Sequence, residues 1–204
     1  MRFHIAHIVP RPEMHGLNGY QEVIDSFEWG LRELGHEVSV GLNTIDAGAR
    51  NIVFGAQVMK RELAEQLPKD SIVYNLEQVR QVPGEPPAAP RPEIQFYLER
   101  FQIWDYSEFN MERWGQLGTR YPPKVVKVGY APVLERIPKA ELDIDVLFYG
   151  LPSDVRFGAF AALTKVALKS VFVVGLYGAA RDSLIARSKV ILNVGLYNRS
   201  RIFE

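Results

Sequence analysis

The chain has 204 residues, with 24 Lys and Arg balanced by 24 Asp and Glu, and no cysteine. Formal neutrality gives no electrostatic case for nucleic acid or an anionic membrane surface as a partner. The missing cysteines exclude a disulfide framework, a thiolate metal site and a cysteine nucleophile.

The opening stretch, MRFHIAHIVP, reads as a first strand, Arg2 to Val9, and not as a signal peptide. No apolar run approaches membrane-spanning length, so the chain reads as soluble and cytoplasmic. The Pro- and Gly-rich stretch Pro10 to Gly19 is a loop. Apolar residues then recur at Tyr20, Val23, Ile24, Phe27, Leu31 and Leu34, a helical spacing closed by Gly35. His36 to Leu42 alternates as a second strand, Asn51 to Phe54 is a short third, and Glu62 to Leu67 is a helical piece before a fourth strand, Ser71 to Leu76. This alternation of strands and helices predicts a parallel sheet covered by helices.

Val82 to Pro92 holds five of the 13 prolines and reads as an extended loop. An amphipathic segment around Phe96 to Phe101, a strand Ile103 to Tyr106 and a helix capped by Ser107 and closed by Gly118 follow. Lys124 to Tyr130 reads as the last strand of this half. Residues 131–142, with Pro132 and Pro138, read as a linker. A second α/β unit then runs over residues 143–204: strand Asp143 to Gly150, helix Ser153 to Leu168, strand Val171 to Leu176, helix Ala179 to Arg187, and a closing apolar run. That run (Val190, Ile191, Leu192, Val194) suits a strand buried on both faces. The expected fold class is α/β, with two Rossmann-like parallel-sheet units, the second short of a usual sheet and therefore read as truncated.

In a parallel sheet the ligand loops lie at the carboxyl ends of the strands, and these rank first as site candidates. His15, after the first strand, is either a base or acceptor contact or a solvated loop residue. Glu77, at the end of the fourth strand, is either an acceptor contact or base, or a carboxylate capping the next turn. Ser107 and Glu108 follow the Trp104 strand. In the second unit the candidates are Gly150, Tyr177, Gly178 and Asn198, with Arg156 either meeting phosphate or solvated. Arg201 and Glu204, three apart after the last strand, form either part of an anion site or a helix-start ion pair. His4, His7 and Asp105 lie within strands and read as structural, and His36 as a turn residue. The sequence carries no G-x-G-x-x-G after the first strand, no Walker loop, no G-x-S-x-G elbow, no His/carboxylate metal spacing and no acidic pair ending the first strand.

The closing segment, SKVILN followed by NRSRIFE, resembles the donor-site pattern of group 1-type, spore-maturation CgeB-like glycosyltransferases. YNLEQ (Tyr74 to Gln78), WDYSEFN (Trp104 to Asn110), VGYAPVLERIP (Val128 to Pro138) and DIDVLFYG (Asp143 to Gly150) are similar to further points of that family, in the same order. The resemblance implies the GT-B fold, with an acceptor-side domain over 1–130 and a partial donor-side domain over 143–204, and an active site in the cleft between them. It implies transfer of a sugar from a nucleotide-diphosphate sugar to a hydroxyl acceptor, with no metal or other cofactor. Glu204 would hold ribose or sugar hydroxyls, and Arg201 with helix N-termini would meet the diphosphate. The family's donor helix would begin at Glu204, so low or no transferase activity is expected, with either a homodimer through the exposed second unit or a poorly ordered second unit and a tendency to aggregate. The alternative is a non-catalytic sugar- or nucleotide-binding or scaffold protein of the same architecture.

Overall fold

The computed structural model describes residues 1–11, 13, 19–77, 79 and 92–195. Two compact units divide between Leu134 and Glu135. The first is a six-stranded sheet of order β2-β1-β3-β4-β5-β6 in which each pair is parallel. Its strands are β1 (Arg2–His7), β2 (Glu37–Leu42), β3 (Arg50–Phe54), β4 (Ile72–Asn75), β5 (Gln102–Asp105) and β6 (Lys124–Val125). The helices are α1 (Gln21–Glu33), α2 (Arg61–Ala64), α3 (Pro92–Leu98) and α4 (Met111–Leu117).

The inner strands β1, β3 and β4 are largely apolar on both faces because both faces are covered. Phe3 and Ile5 of β1, Ile52 and Phe54 of β3, and Ile72 and Tyr74 of β4 share one buried cluster with Ile24, where Val23, Phe27 and Leu31 of α1 also pack. Ala6, Val53 and Val73, one residue out of phase, belong to the other cluster with Phe96, Leu98 and Trp114 of α3 and α4. A two-residue period thus divides each of these inner strands between two helical layers. Among the described residues, no helix is long and apolar enough to cross a membrane.

The second unit holds a three-stranded parallel sheet of order β8-β7-β9, with β7 (Ile144–Tyr149) central between β8 (Ser170–Val173) and β9 (Ser188–Ile191). Its helices are α5 (Asp154–Leu163), capped where the Ser153 hydroxyl accepts from the Arg156 amide at 3.3 Å, and α6 (Gly178–Ala186). The Phe172 ring lies 4.5–5.6 Å from the rings of Phe148, Phe157 and Phe160. That cluster ties α5 to the sheet.

Five expectations are corrected. Leu34 is 73% exposed: it is the C-cap residue, and the chain turns away at Gly35 (φ +77°) before the apolar stripe reaches it. The strand expected over Lys124 to Tyr130 stops at Val125, with one further bond from the Val126 amide to the Asp105 carbonyl at 2.8 Å. Helix α5 stops at Leu163, and Val166 and Leu168 beyond it are exposed. The closing strand is not buried on both faces. It hydrogen-bonds β7 alone among the described strands, ends at Ile191, and leaves Val190 54% exposed. Finally, Glu77 does not end a buried strand: β4 stops at Asn75, and Glu77 stands exposed two residues beyond. Of the proline loop, residues 82–91 lie outside the described residues, and α3 begins at Pro92.

Candidate functional site

The strand order makes one place in the first unit special. From β1 the chain passes to β2 on one side and then to β3 on the other, so the connections leaving β1 and β3 diverge at their carboxyl ends. A doubly wound sheet opens a crevice at such a switch point. The loops around it are pinned by side chains bonding backbone. Asn43, at φ +52°, accepts from the Val9 amide at 2.8 Å and donates to the Val9 carbonyl at 3.0 Å. Gly55, at φ +81°, brings the chain after β3 so close to β1 that a Cβ would overlap the Ile8 carbonyl oxygen. Only glycine fits there without strain.

Gly55 leads directly into a 3-10 turn, Ala56–Val58, that carries Gln57 into the crevice, while Tyr20 stands at the N-cap of α1. The Tyr20 hydroxyl donates to Glu77 Oε1 at 2.8 Å, and Gln57 Nε2 donates to the same oxygen at 3.0 Å and to the Tyr20 hydroxyl at 2.7 Å. Three loops therefore deliver three polar groups to one point. Burial first, and then the Glu77 charge, hold the Tyr20 phenol well above its ordinary value. It is a fixed hydrogen-bond donor at neutral pH.

Beneath Glu77 lies a buried cage. Asn75 Nδ2 and Asn110 Nδ2 both donate to the Glu77 carbonyl, at 2.7 and 3.0 Å, and the Glu77 amide donates to Asn75 Oδ1 at 3.3 Å. The two asparagines are held by Asp105, which accepts from Asn75 at 2.7 Å, Asn110 at 3.0 Å, Trp114 Nε1 at 2.7 Å and the Ser107 amide at 2.8 Å. Asp105 has no solvent exposure, and burial raises its pKa even against these donors. The turn after β4 is thus capped by Asn75 and by Asn110, which accepts from the Val79 amide at 3.2 Å. The Glu77 carboxylate is directed at Tyr20 and Gln57.

The other candidates divide by unit. Ser107 caps the turn that starts at Glu108, accepting from the Phe109 amide at 3.3 Å, and Glu108 pairs with Lys127 at 2.8 Å. His4 is buried, bonding Ser39 at 2.9 Å and the Thr44 carbonyl at 3.2 Å, and the His36 ring lies tilted against Phe3, its centroid 5.1 Å away. In the second unit, Gly150 and the Tyr177–Gly178 pair do follow the carboxyl ends of β7 and β8. A Cβ on Gly150, at φ +144°, would lie 2.8 Å from Arg156 Nη1, so the glycine seats that guanidinium. Arg156 donates through Nε to the Val194 carbonyl and through Nη1 to the Leu151 carbonyl, each at 2.8 Å, and burial lowers its pKa. The Nη2 edge makes no hydrogen bond among the described residues. His15, Asn198, Arg201 and Glu204 lie outside the described residues.

Tyr20 and Gln57 escape sequence reasoning. Tyr20 fits the apolar spacing of α1, and its ring does pack against that cluster. Gln57 follows the glycine that ends β3, a strand-end position that the parallel-sheet rule ranks. Among the described residues, no group of three or more His, Asp and Glu side chains could hold a metal ion. Neither a scan of known protein-family models nor a search of curated proteins gives a match to this chain.

Proposed function

We propose that the chain is a glycosyltransferase of the GT-B type, moving a sugar from a nucleotide-diphosphate sugar to a hydroxyl acceptor that binds at the crevice of the first unit. The observation that carries the reading is the convergence of Tyr20, Gln57 and Glu77 at the carboxyl ends of the strands. A hydroxyl-rich ligand needs fixed donors and acceptors in a concave site, and these three supply both. Glu77 Oε2 makes no hydrogen bond among the described residues and is the acceptor for the reacting hydroxyl. In the transfer step that hydroxyl gives its proton to Glu77 as its oxygen bonds the sugar C1. The bond from C1 to the diphosphate oxygen breaks, and the nucleoside diphosphate leaves with the electron pair. On the donor side the reading uses Gly150, Arg156, Tyr177 and Gly178, together with Asn198, Arg201 and Glu204.

One observation favours the second reading, a sugar- or nucleotide-binding protein without turnover: Oε1 of Glu77 already accepts two hydrogen bonds, so the carboxylate is held as a fixed acceptor that can position a ligand hydroxyl without taking its proton. A single assay separates the two. Nucleoside diphosphate release from UDP- and GDP-sugars is measured with a panel of hydroxyl acceptors, for the native chain, Glu77→Gln and Tyr20→Phe. General-base catalysis predicts a fall of about 10²–10⁴ in turnover for Glu77→Gln and a smaller one for Tyr20→Phe. Equal turnover in Glu77→Gln and the native chain refutes the assignment of the base. Ligand binding without any turnover selects the second reading.

A further inference from the structure

A second concavity lies at the other end of the same sheet. Its residues come from α2, from the turn before β4, from the end of α3 and from the segment before β6, all at the amino ends of the parallel strands. It encloses about 460 Å³. Four cations line it, Arg61, Lys69, Arg100 and Arg120, against one carboxylate, Glu65.

Three of these cations, Arg61, Arg100 and Arg120, lie over aromatic rings, the last 5.5 Å from the Tyr121 centroid. The guanidinium carbons of Arg61 and Arg100 sit 3.7 and 4.2 Å from the centroid of the buried Phe96 ring. Arg61 pairs with Glu65 at 2.8 Å and Arg100 with Glu99 at 3.1 Å. Lys69 and Arg120 have no carboxylate partner among the described residues. The Arg120 backbone is nonetheless fixed, its amide donating to the Leu98 carbonyl at 2.9 Å. Glu65 and Glu99 offset two of these charges, and turning the remaining Lys69 and Arg120 charges to the same hollow is unfavourable unless a further anion offsets them. Arginine forks held against an aromatic ring are also preorganised for oxyanions.

We infer that this cavity is a binding site for a small, multiply charged oxyanion of the phosphate type, such as the phosphate groups of a phosphorylated small molecule. The volume suits a small ligand, and the neutral chain as a whole lacks the charge excess that a long polyanion would need. The inference does not rest on the glycosyltransferase reading, since the two places lie at opposite ends of the strands.

The test is calorimetric titration of the full chain with pyrophosphate, and with orthophosphate for comparison, at low salt. Binding is expected, with pyrophosphate the tighter ligand. The double variant Lys69→Ala/Arg120→Ala should weaken pyrophosphate binding by at least about a hundredfold, the loss of two charge-assisted contacts. Both side chains are exposed, so the fold is unaffected, and tryptophan fluorescence checks this. Lys69→Arg/Arg120→Lys should bind within a fewfold of the native chain. No pyrophosphate binding by the native chain overturns the inference, and so does binding that the alanine pair leaves unchanged.

Discussion

Replacing Asp105 by asparagine swaps one oxygen for an NH₂ at nearly constant volume, yet it should be among the most damaging changes available to the first unit. In the native chain both carboxylate oxygens face donors: Oδ1 meets the Ser107 amide and Asn110, and Oδ2 meets Asn75, Asn110 and the Trp114 indole. An asparagine presents N–H groups to at least one of these sets. With Trp114 and Ser107 both buried, two donors would be orphaned in Asp105→Ala, at ~1–3 kcal/mol each, or about 2–6 kcal/mol. In Asp105→Asn, relief of the buried charge offsets part of the donor-to-donor conflict, leaving about 2–4 kcal/mol. The pKa of Asp105 is raised, so its protonated form favours folding: that contribution is complete below about pH 3.9 and is lost as the pH rises through the folded value. The assay is urea unfolding at neutral pH followed by tryptophan fluorescence. Trp29, Trp104 and Trp114 are the only three tryptophans and all precede Leu134, so the signal reports the first unit alone. An asparagine variant within about 0.5 kcal/mol of the native chain, the range of an ordinary surface change, would refute the cage argument.

Gly55→Ala should cost at least ~2 kcal/mol in the same assay, from left-handed backbone strain of ~1–2 kcal/mol plus overlap of the new Cβ with the Ile8 carbonyl oxygen; an unchanged urea midpoint would show that the β1–β3 approach relaxes freely. In the second unit, Asp143 takes both Nε and Nη2 of Arg187, at 2.7 and 2.6 Å, with Lys169 at 2.9 Å, and these donors hold its carboxyl far below the usual range. A lowered folded pKa stabilises above the unfolded value and is lost as the pH falls, so Asp143→Asn should melt below the native chain by far-UV circular dichroism at pH 7, with the gap closing below about pH 3.9. A gap of the same size at both pH values would remove ionisation as its cause.

What could be read from the sequence follows from which signals are local. The strands β1, β3 and β4 were legible because burial on both faces favours apolar residues at most positions, and the phase that sorts Ile5 from Ala6 or Ile52 from Val53 needs no knowledge of neighbours. The run after Ser188 has the same composition, yet whether a strand is central or at an edge is decided by pairing, and β9 pairs on one side only among the described strands. Composition cannot carry that distinction. The candidate site divides in the same way. Glu77 could be found because a carboxylate beyond a strand of a parallel sheet points to the ligand edge. Tyr20 could not, since its ring serves the helix spacing that hides its hydroxyl, and one side chain does both jobs. Asp105 shows why the division between structural and functional residues fails here. Read as structural, it is buried and satisfied, but the asparagines it holds are those that grip the carbonyl of Glu77. A change that leaves every crevice side chain intact would therefore still move the carboxylate on which the proposed chemistry depends.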